Sequence, residues 1–340
     1  MTKAMTPPPS VSAPTPPGKQ KFQFARYQDL ALVPVIIILL VIGAVLSPIF
    51  LTPGNLIAVL TQQSELSLLV LGQAMILIVG KMDLSLESTV GLAPALAVAL
   101  IIPAASGGLD VGLPAWMALP LCLLIGVLIG GLNGFLILKV GLSGFMVTLG
   151  MLTMLRGLQL AITEGKSLID VPESFLYLGS TTWLGLPAAV WICIVCYAAG
   201  IFVLKYLRAG RSLYAIGGNS EAARAAGIRV DRVVWIVLVI GSVLAVVAGV
   251  LMTGRLGSVA ATQGEGMIFQ VFAAAVIGGI SLQGGKGTLF GALSGVLMLG
   301  LVEQILRLQG VSGFYIKASY GAVIILALIV TRFATGQKQE

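Results

Sequence analysis

Three short stretches of the chain have residue types and spacings that could do chemistry. Cys193 and Cys196 stand at the spacing of a dithiol redox pair. Gly141-Leu142-Ser143-Gly144 looks like the serine motif of an intramembrane protease, in which a hydroxyl attacks a peptide carbonyl. Gly284-Gly285-Lys286-Gly287-Thr288 has the glycines and lysine of a phosphate-binding loop. None of the three carries its chemistry through. The cysteines lie in an apolar run with no strand-to-helix context, so they read as small packing residues, as does Cys122. A serine nucleophile needs a base, and the chain has no histidine. A phosphate loop requires Gly at 280 and Ser or Thr at 287, where Ile280 and Gly287 stand. Without a nucleophile–base pair or a metal-ligand cluster, the chain is expected not to be an enzyme and to bind no metal or cofactor itself.

A second group of residues is informative through its surroundings. Gln62, Gln63, Glu65, Gln73, Asn133, Arg156, Gln159 and Gln270 all interrupt long apolar runs. Charged and amide groups are costly in lipid, so they should face the protein interior or a water-filled cavity. A polar route without metal ligands or a dense acidic relay suits a neutral hydrophilic solute better than an ion. Gln62, Gln73 and Asn133 are the candidate lining residues. Hydrogen bonding between helices is an equally open reading for any one of them.

The elements that must position these residues follow from composition. The 340 residues are 58% hydrophobic and 10% charged, against about 25% charged in a soluble domain. Mean hydropathy is +1.04. Soluble enzyme, nucleic-acid binder, disulfide-stapled secreted domain and coiled coil are excluded. A membrane-crossing helix needs roughly 20 apolar residues. Ten such segments fall near 30–50, 56–80, 84–102, 114–138, 142–163, 187–207, 232–253, 267–282, 287–306 and 315–331. The expected fold is an all-α polytopic membrane protein of about ten transmembrane helices spanning 29–333. Residues 1–28, rich in Pro, Ser and Thr, read as a disordered tail, and 334–340 as a second, short one.

Charge tests the topology. With the N-terminus inside, fifteen of the twenty Lys and Arg residues fall in cytoplasmic segments. Lys166, Arg255, Arg307 and Lys317 fall outside, and Arg156 sits within a span. This bias places both termini in the cytoplasm. Gly126, Gly130 and Gly134 share one helix face, as do Gly287, Gly291 and Gly295, which suits close helix packing within the bundle. Glu303 and Arg307, four apart, suit a local ion pair.

The largest cytoplasmic loop, about 205–232, is the most specific stretch. Asn219 is a good helix N-cap, Glu221 suits a first turn, and Gly227 is a natural terminator. They specify a helix over about 220–226, flanked by Gly217 and Gly218, which would allow a sharp bend into it. Such a helix is too short to persist alone in water. Something must hold it.

At Tyr214-Ala-Ile-Gly-Gly-Asn-Ser-Glu-Ala-Ala-Arg-Ala-Ala-Gly-Ile228 the sequence resembles the cytoplasmic coupling loop of ribose-type ABC importer permeases. Met82-Asp83-Leu84-Ser85 and the run from Val276 to Gly287 match the same family in order and separation. The resemblance covers nearly all of Leu30 to Arg332. It implies a permease subunit of the bacterial inner membrane that works as a homo- or heterodimer. It also implies cytoplasmic ATPase subunits that bind ATP and Mg, and an extracytoplasmic solute-binding protein. The implied substrate is a monosaccharide or related small polyol. Gly217, Gly218, Asn219, Glu221, Ala222, Arg224 and Gly227 would then form the ATPase coupling site. Two departures bear on which sugar. Lys81 and Glu87 replace uncharged small residues, and Ile268 and Gln270 stand where an acidic pair is common. The competing class is an ion-coupled secondary transporter, which would usually need charged groups near the bilayer midplane. Only Glu65 is a fair candidate for such a group.

Overall fold

The computed structural model describes residues 32–335, so the tail at 1–28 and the last five residues lie outside the described residues. Thirteen α-helices and one two-stranded hairpin are present among them. The first five helices are α1 (Val33–Leu46), α2 (Pro53–Ile78), α3 (Leu86–Ala99), α4 (Ala118–Leu138) and α5 (Gly144–Thr163). A short helix α6 (Glu173–Ser180) and the pair β1 (Thr182–Trp183) and β2 (Leu186–Pro187) lead into α7 (Ala188–Tyr206). Then come α8 (Arg208–Gly218), α9 (Ser220–Ala225), α10 (Val230–Leu256), α11 (Met267–Ile277), α12 (Leu289–Leu308) and α13 (Gly313–Thr335).

Among the described residues, five helical runs, those containing α4, α5, α7, α10 and α12, are long and apolar enough to cross a membrane. Helix α2 has the length but a more polar sequence, because Gln62, Gln63, Ser64, Glu65, Ser67 and Gln73 lie within it. Its position explains this tolerance. Every residue from Gln63 to Ile78 is buried, so α2 is wrapped by protein rather than lipid. Helix α10 crosses α2 with Gly72 against Gly241, where an added Cβ on Gly72 would lie 2.9 Å from the Gly241 Cα.

The segments expected at 84–102 and 267–282 depart from simple spans. Helix α3 has 14 residues and α11 has 11, so they rise only about 21 and 16 Å. The hydrocarbon core is about 30 Å thick. Both are half-helices, completed by irregular backbone at 79–85, 257–266 and 278–288. Such backbone is stable within a bundle only where its polar groups find partners. Here they do. Ser85 N donates to Asp83 Oδ1 at 2.9 Å, Gly285 N to Ile78 O at 2.8 Å, and Ser281 N to Lys286 O at 3.1 Å.

Helix packing uses the two glycine faces. An added Cβ on Gly126, Gly130 or Gly134 would collide with Val246, Val239 or Trp235 of α10. Gly291 and Gly295 press against the carbonyls of Gly278 and Ala274 at the end of α11. Gly287 does not belong to that face: it precedes α12 and turns the chain at φ +121°.

Candidate coupling surface and polar route

The segment expected to couple, about 205–232, contains two helices between α7 and α10. Leu207, extended, separates α7 from α8, an amphipathic helix that buries Gly210, Leu213 and Ile216 and exposes Arg208 and Arg211. Asn219 then takes an extended conformation (φ −160°, ψ 106°), and its side chain accepts the Ala222 amide at 2.9 Å. Helix α9 runs for six residues and stops at Gly227, whose φ of +83° only glycine adopts freely. The cap and terminator read from sequence are both in place.

Little of the protein covers α9. Ala223 is its one buried residue, while Glu221, Ala222, Arg224, Ala225 and Ala226 are exposed. Arg224 pairs with Asp231 at 2.8 Å, tying α9 to the first turn of α10. A six-residue helix held on one side presents a small-sided, mostly alanine surface outward.

Gly217 and Gly218 act differently from a flexible lead-in. They are the last two residues of α8, and the bend sits one residue later, at Asn219. Gly217 is there for close approach. A Cβ on it would overlap the carbonyl of Ile78 and the amide of Gly285, whereas a Cβ on Gly218 would meet nothing. Gly80 and Gly284 complete the junction, both at positive φ, with Gly284 packed on the Cα of Gly80 and the carbonyl of Gly217. Tyr214 Oη donates to Gly287 O at 2.9 Å. This segment therefore touches, backbone to backbone, both irregular breaks at 79–85 and 278–288.

The three candidate route residues are not brought together. Gln62, half-buried, donates to Glu303 Oε1 at 3.4 Å. Gln73, eleven residues and about 16 Å further along α2, is fully buried with neither amide atom bonded. Asn133 is fully buried on α4, donating to Ser85 Oγ at 2.8 Å and Asp83 Oδ2 at 3.2 Å. Gln62 is linked through Glu303 to a cavity. About 400 Å³ lies between α11, α12 and α13, lined by Gln270, Glu303, Arg307, Lys317 and Tyr320 among others. The Glu303–Arg307 pair is formed as the spacing suggested. Glu303 also accepts the Tyr320 hydroxyl at 2.7 Å, a contact from α13 that no local spacing signals.

Two further polar clusters sit deep in the bundle. Glu65, almost wholly buried, takes a bidentate pair from Arg255, Nε at 2.6 Å and Nη2 at 2.8 Å. Arg156 Nη1 donates to Gln159 Oε1 and Gln263 O, both at 3.0 Å, with Nη2 3.4 Å from Glu87 Oε1. Cys193 and Cys196 carry free thiols, Cys193 buried and Cys196 half-buried, in keeping with their packing role.

Long apolar helices around a polar, interrupted centre fit a multi-pass membrane protein. Residues 55–331 match the family described as the branched-chain amino acid transport system / permease component, and the chain belongs to that family. It is 33% identical to the ribose import permease protein RbsC of Escherichia coli over 317 residues, 92% of this chain and 96% of that one. RbsC of Haemophilus influenzae is 31% identical over 307 residues, covering 89% and 93%. The L-arabinose transport system permease protein AraH of Escherichia coli is 32% identical over 322 residues, covering 94% and 96%.

Proposed function

We propose that this chain is the permease subunit of a binding-protein-dependent importer of a monosaccharide or small polyol. It works in the bacterial inner membrane, with ten spans and both termini in the cytoplasm. ATP and Mg act on separate cytoplasmic ATPase subunits, and a second permease subunit completes the path. The observation that carries this reading is α9: a capped, exposed, six-residue helix whose root, Gly217, abuts the end of α2 and the break at 278–288. A partner that grips α9 can thus move the backbone of the membrane centre. The sugar assignment is supported by relatives named for ribose and arabinose that align over most of their length, although the family description names amino acids.

Ion-coupled transport is disfavoured by the state of Glu65. Its carboxylate takes a bidentate pair from Arg255, so this acid is not free to cycle an ion. The test is co-purification of the ATPase and solute uptake with Ala222→Trp. The bulky ring on exposed Ala222 should release the ATPase or uncouple hydrolysis from uptake while the permease still inserts. Wild-type ATPase retention and uptake would refute the coupling role.

A further inference from the structure

A second cavity, about 620 Å³, opens between the end of α4 and the start of α10, beside α9. Its lining is strongly basic: Lys139, Arg224, Arg229 and Arg232 against the single acid Asp231. Arg224 is taken by Asp231. Lys139, Arg229 and Arg232 are exposed and make no ion pair among the described residues. Three cations therefore share one concave site with nothing to neutralise them.

Below the cations the surface changes character along two helix faces. On α4, Lys139 is followed on one face by Phe135 and Leu132, at i−4 and i−7. On α10, Arg232 is followed by Ile236 and Ile240, at i+4 and i+8. All four apolar side chains are exposed. Trp235, half-buried against Gly134, also lines the cavity, and indole rings favour the membrane–water boundary. Helices α4 and α10 pack on one another, so the tracks run side by side.

We propose that this site holds the headgroup of an anionic phospholipid, its phosphate among Lys139, Arg229 and Arg232 and its two acyl chains along the two apolar tracks. Basic pockets at helix ends on the cytoplasmic side suit acidic lipid headgroups. A free inorganic anion would use the cations but not the tracks. An acidic protein surface would not follow apolar faces into the bilayer. The site requires only that the α4–α10 end meet the membrane surface, so it stands apart from the transport assignment. Its place beside α9 makes the bound lipid a brace for the coupling helix.

The experiment is native mass spectrometry of the purified full-length chain from micelles holding equal phosphatidylglycerol and phosphatidylcholine. Wild type should retain phosphatidylglycerol about tenfold over phosphatidylcholine, and Lys139→Gln with Arg232→Gln should abolish most of that preference without lowering the melting temperature. Millimolar inorganic phosphate should displace none of it. Equal retention of the two lipids by wild type overturns the proposal, whatever the variant does. So does displacement by phosphate, which would mark a free-anion site. Unchanged lipid preference with lost ATPase in the double variant would assign the surface to the partner protein instead.

Discussion

The carboxylate of Glu87, in the first turn of α3, accepts the backbone amide of Ile268, in the first turn of α11, at 3.0 Å. The positive ends of two half-helices therefore share one acid, with Arg156 beside it. Between them the backbone of 257–266 descends alongside α3. Gln263 bonds Val90 O and Gly249 O, seven residues and about 10 Å back from the end of α10. Glu87 is the fastening of this descent.

Replacing that acid should loosen it. Glu87→Gln keeps an acceptor for Ile268 but leaves Arg156 without a countercharge. Hydrogen bonds to charged groups contribute about 1.5–3 kcal/mol, so a loss of that order is expected in the variant's unfolding free energy. Glu87→Ala should lose more, because the α11 amide is then left unbonded as well. Denaturation of the detergent-solubilised protein measures both. A Gln variant as stable as wild type would mean that the acid is not holding the two helices.

How far this was legible in the sequence depends on the range of the interaction. The cap at Asn219 and the stop at Gly227 are local, set by residues within one turn, and the structure has both. The Glu303–Arg307 pair is local in the same way. Hydropathy placed breaks near 81–83 and 283–286 but not their extent, since α3 begins only at Leu86 and α11 already ends at Ile277. Gly217 looked like a hinge because paired glycines signal freedom, and its neighbours Ile78 and Gly285 are distant in sequence. Helix α8 hid behind its glycines and charges. Gln73, Asn133 and Gln62 read alike as amides in apolar runs, although their surroundings differ.

Those surroundings separate the three amides experimentally. Gln62→Ala should lower solute uptake with little effect on stability, because the side chain is half-buried and bonds Glu303 of the α11–α13 cavity. Asn133→Ala should instead lower stability by about 1–3 kcal/mol, since Asp83 and Ser85 lose a buried partner. Gln73→Leu removes two unbonded buried polar atoms at similar volume, and should leave stability equal or higher. Uptake and thermal unfolding of the three variants decide this. Normal uptake by the Gln62 variant would remove the cavity from the route.

Topology is open to labelling from outside the cell. A cysteine placed at Asp170 should react with a membrane-impermeant maleimide on intact cells, while one at Ser220 should react only after lysis. Both positions are exposed in the fold, so accessibility to the probe reports sidedness. Reaction at 220 from outside would invert the proposed orientation.

The junction at Gly217 gives the sharpest comparison, because its neighbour supplies the control. An Ala side chain at 217 would press on the Ile78 carbonyl and the Gly285 amide, forcing apart the contact between α8 and both breaks. Overpacking of this kind costs about 1–3 kcal/mol and shifts backbone. An Ala at 218 points into open space and, as a better helix former than glycine, should cost nothing. Helix α9 is untouched in both variants, so the ATPase should co-purify with each. Gly217→Ala should hydrolyse ATP yet import solute at least about tenfold more slowly, the loss of roughly 1.4 kcal/mol or more of coupling. Gly218→Ala should match wild type in both. Equal uptake by the two variants would show that the movement of α9 reaches the membrane centre by another path, most directly through the Arg224–Asp231 tie to α10.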